Sequence, residues 1–257
     1  MTIIAVTRAK TDADILPFTV KRMLAQVDHV IVGVGDEACR QALDGMPVEV
    51  IEDNDPTFKQ AERMTALAHI AREQGADWVV PFDADEVWCS RLHSTLRKTL
   101  AQIPDEVLIA EAKLFDHKVT ALDPDNLDPV ARMGWRMAGC APLRKVAVRA
   151  LEDLQLHGGQ HSAGFTDHRF APAVTDAIEI RHYPYRSAQQ MVDKIRVGGP
   201  ALAASNLPKD FGAHWRMFHE MLEEQGPEAL EAWFDRWAFS ADPANHPEPL
   251  VFDPCHV

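Results

Sequence analysis

The sequence predicts an α/β fold with a mostly parallel central sheet flanked by helices. Three observations predict it. Strand-like and helix-like segments alternate from residue 2 to residue 88. The run Ala76–Phe82 is apolar at almost every position, as in a strand covered on both faces. Met64, Leu67, Ala68 and Ala71 fall at i, i+3, i+4 and i+7, a helical period.

Taken in order, Thr2–Val6 is a short apolar strand. Thr11 or Asp12 caps a helix that carries Asp14 in its first turn, Pro17 near its start, and Ile15, Leu16, Met23 and Leu24 as anchors. Asp28–Gly35 is a buried strand, Glu37–Leu43 a short helix and Val48–Glu52 a third strand. Lys59–Gln74 is a longer helix with Thr57 ahead of it as a cap and Gly75 as its stop. Ala76–Phe82 is the fourth strand. Ser90–Gln102 reads as a helix, Val107–Leu114 as a strand, and Asp116–Pro129, polar and proline-bearing, as a long loop. Strands follow at Lys145–Val148 and Ala177–Arg181, then helices at Ala188–Val197, Ala213–Gln225 and Glu228–Ala238, and an irregular tail.

Composition narrows the function classes. With 257 residues, 46% of them apolar, the chain has enough material for one large core, or one core with a modest appendage. A formal charge of −13 disfavours nucleic acid and anionic lipid as general partners. It leaves room for a phosphate-bearing ligand neutralised locally. No apolar run is long enough to span a membrane. MTIIAVTRAK lacks the basic start and long apolar stretch of a signal peptide. The four cysteines form no CxxC pair, which fits reduced thiols. A cytoplasmic protein is expected.

The segment VVPFDADEVW, residues 79–88, carries the chemistry. Ligands of open α/β sheets bind beyond the carboxyl ends of the strands, where Asp83, Asp85 and Glu86 lie. In an extended segment residues two apart point the same way, so Asp83 and Asp85 face one site. Two carboxylates suit a hard divalent ion, Mg²⁺ or Mn²⁺, that takes further oxygens from a substrate phosphate. The competing account is a solvated turn in which an Asp caps the helix at Ser90.

ADWVVPFDADEVW, preceded by a helix with Gln60 and Arg63, resembles the family 2 glycosyltransferases, and in particular a bacterial branch with a helix like Ala13-Asp14-Ile15-Leu16-Pro17-Phe18 after the first strand. The resemblance covers residues 2–88 and echoes through Ile180–Ser187 to Lys194. It implies the GT-A fold, a Rossmann-like sheet. On this reading residues 1–198 form the transferase domain, with 1–115 as the donor half and 116–198 as the acceptor half, and 199–257 form a helical extension. The activity implied is transfer of a hexose-type sugar from a nucleotide-diphosphate donor, with inversion, to a glycan, lipid-linked or small-molecule acceptor.

The resemblance also assigns residues. Asp83 and Asp85 hold the metal, with His182 completing its shell. Thr7, Asp36, Asp53, Gln60, Arg63, Asp83, Arg186 and Lys194 border the donor. His157 and His161, flanking Gly158-Gly159-Gln160, form an acceptor loop. Glu152-Asp153 supplies the base that accepts the acceptor hydroxyl proton, with Asp116 a weaker candidate.

Each role has a plainer alternative. Thr57-x-x-Gln60 fits a capping box, His182 and Lys194 fit ordinary helix and strand-end positions, and His157 and His161 fit a solvent loop. Glu152-Asp153 fits a surface helix start. A zinc site is not expected, since only His168 lies near that loop. The chain departs from the family at Lys10-Thr11-Asp12 and at Gly33-Val34-Gly35-Asp36, where relatives carry Asn-Glu and an Asp-Asn-Gly-Ser type turn. Asp36 or Asp53 is left to meet the donor base. The same DxD also serves a haloacid-dehalogenase-like phosphohydrolase, or survives in a silent nucleotide-sugar-binding module.

Overall fold

A computed structural model describes residues 1–54, 57, 59–91, 95–166, 173–208 and 211–257. His168 lies outside them. The elements in chain order are β1 (Ile3–Ala9), α1 (Leu16–Leu24), β2 (His29–Val34), α2 (Glu37–Ala42), β3 (Glu49–Glu52), α3 (Gln60–Glu73), β4 (Trp78–Pro81), β5 (Glu86–Ser90), α4 (Leu96–Leu100) and β6 (Ile109–Thr120). After these come α5 (Pro129–Arg132), β7 (Trp135–Met137), β8 (Arg144–Arg149), β9 (Leu154–His157), β10 (Ser162–Phe165), β11 (Ala173–His182), α6 (Ala188–Ala203), α7 (Ala213–Gln225), α8 (Pro227–Trp233), β12 (Phe239–Ser240) and β13 (Leu250–Phe252).

The fold is α/β, with one large sheet flanked by helices. Its main path runs β13-β7-β6-β8-β4-β1-β2-β3, and β11 joins β6 to β5. The parallel part is the amino-terminal one: β3, β2, β1 and β4 all run the same way. β8 pairs antiparallel with both β4 and β6 and closes the parallel group on one side. β9 and β10 form a separate hairpin.

Alternation along β1 sorts the two faces. Ile3 and Ala5 enter a cluster with Val30, Val32, Trp78, Val80 and the α1 residues Leu16, Val20 and Met23. Ile4 and Val6 point the other way, to Met64, Leu67, Ala68 and Ala71 of α3 and to Leu154 and Leu156 of β9. A third cluster unites α6, α7 and α8 through Met191, Val192, Ile195, Phe218, Leu222 and Leu230. Among the described residues no helix is long and apolar enough to cross a membrane.

Four expectations about elements are corrected. Helix α1 begins at Leu16 with Ile15 at its cap, not at Thr11 or Asp12; Thr11 takes a positive φ of 67°, away from the extended conformation of a side-chain-capping threonine. Glu86–Ser90 is strand, not loop and helix; hydrogen bonding to β11 holds it extended, and only Leu96–Leu100 is helical, capped by Thr95. Asp116–Thr120 continues β6, since β7 and β12 pair with it there. Helix α6 runs through residue 198, so the boundary expected between 198 and 199 falls inside a helix.

Candidate active site at the carboxyl edge of the parallel strands

Strand β4 ends at Pro81, and the Phe82 amide still bonds the Val6 carbonyl of β1. The chain then turns. The Glu86 amide donates to the Asp83 carbonyl at 2.9 Å, and the Asp83 amide donates to the Glu86 carboxylate at 3.0 Å. The segment is therefore a tight turn, not an extended run. Asp83 and Asp85 diverge from it, each to its own set of partners.

Asp83, one-third exposed, meets Lys145 of β8. The Lys145 ammonium lies 2.7 Å from Asp83 Oδ2, 3.3 Å from Glu86 Oε1 and 3.1 Å from Gln160 Oε1. Lys145 and Glu86 are both buried. Burial disfavours the lysine charge, but Asp83 and Glu86 outweigh it and raise the lysine above its ordinary range. Glu86 is itself pushed up, chiefly by burial, against the pull of Lys145. Gln60, at the first turn of α3, donates from Nε2 to Asp83 Oδ1 at 3.3 Å. Since the cap position of α3 is Lys59, Thr57 does not form the expected box with Gln60.

Asp85 is buried on the other side of the turn. Lys194 of α6 bonds its Oδ2 at 2.6 Å, Arg186 stands 3.8 Å away, and His182 Nε2 lies 3.7 Å from Oδ1. Burial pushes its carboxyl up, yet Lys194, His182 and Arg186 prevail and hold it well below the carboxylate range. Arg186 is clamped by Asp14 through two bonds of 2.7 Å and by Asp12 at 3.2 Å. Burial raises Asp12, with Lys194 opposing. The Nδ1 of His182 bonds Asp116 at 2.7 Å. Burial lowers this imidazole, but Asp85 and Asp116 carry it to about 9, so it is charged at neutral pH. His214, on the first turn of α7, faces the same space: burial lowers it, and the charges of His182 and Lys194 add to the effect.

The remaining sequence-predicted residues divide into three groups. Asp53 receives Arg8 at 2.5 Å and Arg63 at 3.3 Å, forming a charged cluster beyond the ends of β1 and β3. Thr7 is buried in β1 beside it. The His157-to-His161 loop borders the Asp83 side, because a Cβ on Gly159 would stand 3.3 Å from the His161 ring and 4.0 Å from Gln60. Positive φ angles at Gly158, Gly159 and Gln160 let the loop fold back on itself. The Nδ1 of His161 bonds the Arg144 carbonyl at 2.6 Å.

Two expectations do not hold. Asp36 is committed to structure: it caps α2 through the Cys39 amide and also accepts from the Thr11 amide, each at 2.7 Å. Glu152 lies at the wrong end of the sheet. It is largely exposed and pairs with Arg72 in the last turn of α3, whereas Gln60 beside Asp83 opens the first turn. At about 1.5 Å of rise per residue the two ends of α3 stand roughly 18 Å apart. Asp153 follows Glu152 in the same β8–β9 connection. Neither is positioned to take a proton at the Asp83–Asp85 turn. Asp116, partly exposed, is bonded to His182 beside that turn.

Lys145, Gln160, Asp12, Asp14 and His214 were not anticipated from sequence as site residues. Lys145 left a signal, a lysine opening the apolar strand Lys145-Val146-Ala147-Val148. Gln160 lies inside the His157–His161 loop that the sequence singles out, while Asp12, Asp14 and His214 left no signal, since only the fold brings them to the turn.

The donor set was weighed against a divalent ion. Among the described residues no group of three or more His, Cys, Asp or Glu side chains could hold a metal ion. Lysines cover one oxygen of each aspartate, Gln60 donates to the other oxygen of Asp83, and charged His182 does not complete a metal shell as expected. A hard ion here would rest on the two aspartates alone and draw the rest of its shell from phosphate and water.

No protein-family model matches the chain, and no curated protein matches it in sequence. Solved structures are similar in part. S. aureus TarS in complex with UDP-GlcNAc aligns over 91% of this chain and 73% of its own, at 10% identity and a TM-score of 0.37. Glucosyl-3-phosphoglycerate synthase from Mycobacterium tuberculosis, in complex with Mn²⁺, UDP and glucosyl-3-phosphoglycerate, aligns over 86% and 79%, at 16% identity and 0.37. HddC from Yersinia pseudotuberculosis, complexed with GMP-PN, aligns over 72% and 96%, at 11% identity and 0.39. At these values the likeness is one of α/β layout, and the ligands belong to those proteins.

Proposed function

We propose that the chain is a nucleotide-sugar glycosyltransferase of GT-A type, acting in the cytoplasm. One observation carries this reading: the two sides of the turn after β4 present Asp83 with Gln60 and Asp85 with His182 and Asp116, and each acid of the turn is paired with a buried lysine or arginine. The donor diphosphate lies against this edge. A divalent ion, Mn²⁺ or Mg²⁺, would be held by Asp85 and Asp83. When bound, that ion supplies positive charge against the charge growing on the departing nucleoside diphosphate.

The chain's own residues do the rest. Lys145 fixes Asp83, while Lys194 and Arg186 fix Asp85, so both carboxylates are oriented before a ligand arrives. Charged His182, held by Asp116, adds a second cation beside the diphosphate. The Arg8–Asp53–Arg63 cluster borders the nucleoside, and the His157–His161 loop borders the acceptor. Asp116 accepts the acceptor hydroxyl proton, in place of Glu152 and Asp153, and transfer inverts the anomeric carbon. Residues 1–115 hold the donor, the segment from 116 to the end of α6 holds the acceptor, and α7 and α8 extend the helical flank.

A second reading, a binding module without turnover, draws on Lys145 and Lys194, which already neutralise both acids of the turn. Thermal-shift titration with nucleotide sugars, with and without Mn²⁺, separates the two. The transferase reading expects a metal-dependent rise in midpoint that Asp85→Asn abolishes. It also expects that Asp116→Asn keeps the rise but slows donor turnover about 100-fold or more. Metal-independent binding without turnover supports the module, and no shift with any nucleotide overturns both.

A further inference from the structure

Cys89 and Cys255 are far apart in sequence and meet in the fold. Cys89 lies on β5 and is 5% exposed. It sits in a buried cluster with Ile15, Val87, Val130, Met133 and Tyr183, and Cys255 packs against the same cluster. The two thiols are close enough for each to shift the other's proton affinity. Neither is in a disulfide.

What holds Cys255 there does not depend on the thiols. Strand β13 pairs with β7, the Asp253 amide bonds the Gly134 carbonyl at 2.8 Å, and the Asp253 carboxylate bonds Arg136 at 2.7 Å and Arg181 at 3.0 Å. The segment 250–257 is thus anchored on both sides of a partly exposed cysteine, with a buried cysteine waiting beneath it.

We propose that Cys89 and Cys255 form a reversible disulfide site, with Cys255 as the peroxide-reactive thiol and Cys89 as the resolving one. The division of roles follows from exposure. A small hydroperoxide reaches Cys255 and does not reach Cys89. The electrostatic setting agrees with it. The neighbouring Cys89 thiol, against burial, holds Cys255 down to about 6, and the Val257 amide, Arg181 and Arg22 act in the same sense. Cys89 is pushed well up by Cys255 beside it and by burial, with Glu179 adding to the rise and Arg181 opposing it.

The chemistry balances. The Cys255 thiolate attacks one oxygen of a hydroperoxide, the O–O bond breaks, and an alkoxide or hydroxide leaves with the electron pair and takes up a proton. Cys255 becomes a sulfenic acid. The Cys89 sulfur, giving its proton to the departing hydroxide, then attacks Cys255 Sγ; the S–S bond forms, the S–O bond breaks and water leaves. Two thiols are oxidised by two electrons, and one hydroperoxide is reduced to an alcohol, or to water, with a further water formed. A dithiol reductant reverses the step.

The experiment uses the full chain with Cys140→Ser, which removes the exposed cysteine, and hydrogen peroxide as the probe. The expected product has lost two thiols and about 2 Da, yields a reducible peptide joining residues 89 and 255, and melts higher than the reduced form. With Cys89→Ser added, Cys255 accumulates as a sulfenic acid that dimedone captures; with Cys255→Ser added, Cys89 stays reduced. If Cys255 instead proceeds to sulfinic acid while Cys89 remains a free thiol, the proposal is overturned. It is also overturned if Cys39 and not Cys89 appears in the link.

Discussion

Lys145 shows how much one residue settles. Among the described residues it is the one cation within 4 Å of both Asp83 and Glu86, and it and Glu86 lie where water cannot compensate a lost charge. Removing one partner of such a group costs about 3–5 kcal/mol, because the remaining charges stay buried. Lys145→Met is therefore expected to lower the unfolding free energy by that amount in urea, and adding Glu86→Gln should recover part of it. A loss under about 1 kcal/mol would mean that the acids simply take up protons, and that the ion pair does not hold the turn. The sequence displayed the acids plainly. It did not display their partners, because DADE is a local pattern while Lys145, Lys194 and Arg186 arrive from β8, α6 and the β11–α6 connection.

At the scale of elements, the amphipathic pattern was legible and its interruptions were not. Helix α3 and the helix Ala213–Gln225 appear where their periods predicted. Glu86–Ser90 read as the lead-in to a helix, yet pairing with β11 overrides local preference and makes it a strand. The base expected at Glu152 failed for a similar reason: a Glu-Asp pair carries no information about which end of the sheet it occupies.

Packing of α6 on α7 gives a prediction here. A Cβ on Gly199 would stand 2.7 Å from the His219 ring, and one on Gly198 2.7 Å from the Trp215 ring. Gly199→Ala should force the helices apart and cost about 1–3 kcal/mol, measured by denaturant unfolding. Because α6 carries Lys194, the same variant should weaken nucleotide binding as well. Wild-type stability in the variant would show that His219 swings aside freely.

For the whole molecule, a buried histidine sets a lower bound on pH. His117 is fully enclosed; its Nδ1 bonds the Met133 carbonyl at 2.6 Å, its ring stacks on Tyr183 and its Nε2 finds no hydrogen-bond partner among the described residues. Burial, reinforced by Arg181 and Arg136, lowers it to about 3. Folded protein therefore keeps the ring neutral, while the unfolded chain takes a proton below its ordinary value of 6.5. The sign follows: stability is fully present above about 6.5 and falls as pH drops toward 3, by on the order of 4 kcal/mol from this group. His117→Phe should flatten the stability profile across that window, as read by denaturant midpoints at stepped pH. An unchanged slope would assign the acid sensitivity to other groups.

The reach of α6 has one more consequence. Asp85 and Lys194 are separated by 109 positions in the chain, and Arg186 lies between them in the connection to α6. A nascent or partly folded chain that has built only the first four parallel strands has nowhere to enclose Asp85, since an enclosed acid without its ammonium partner is too costly to persist. The turn must stay wet, or protonated, until the helical flank docks. Assembly order is thereby written into a single carboxylate, and the pocket closes last.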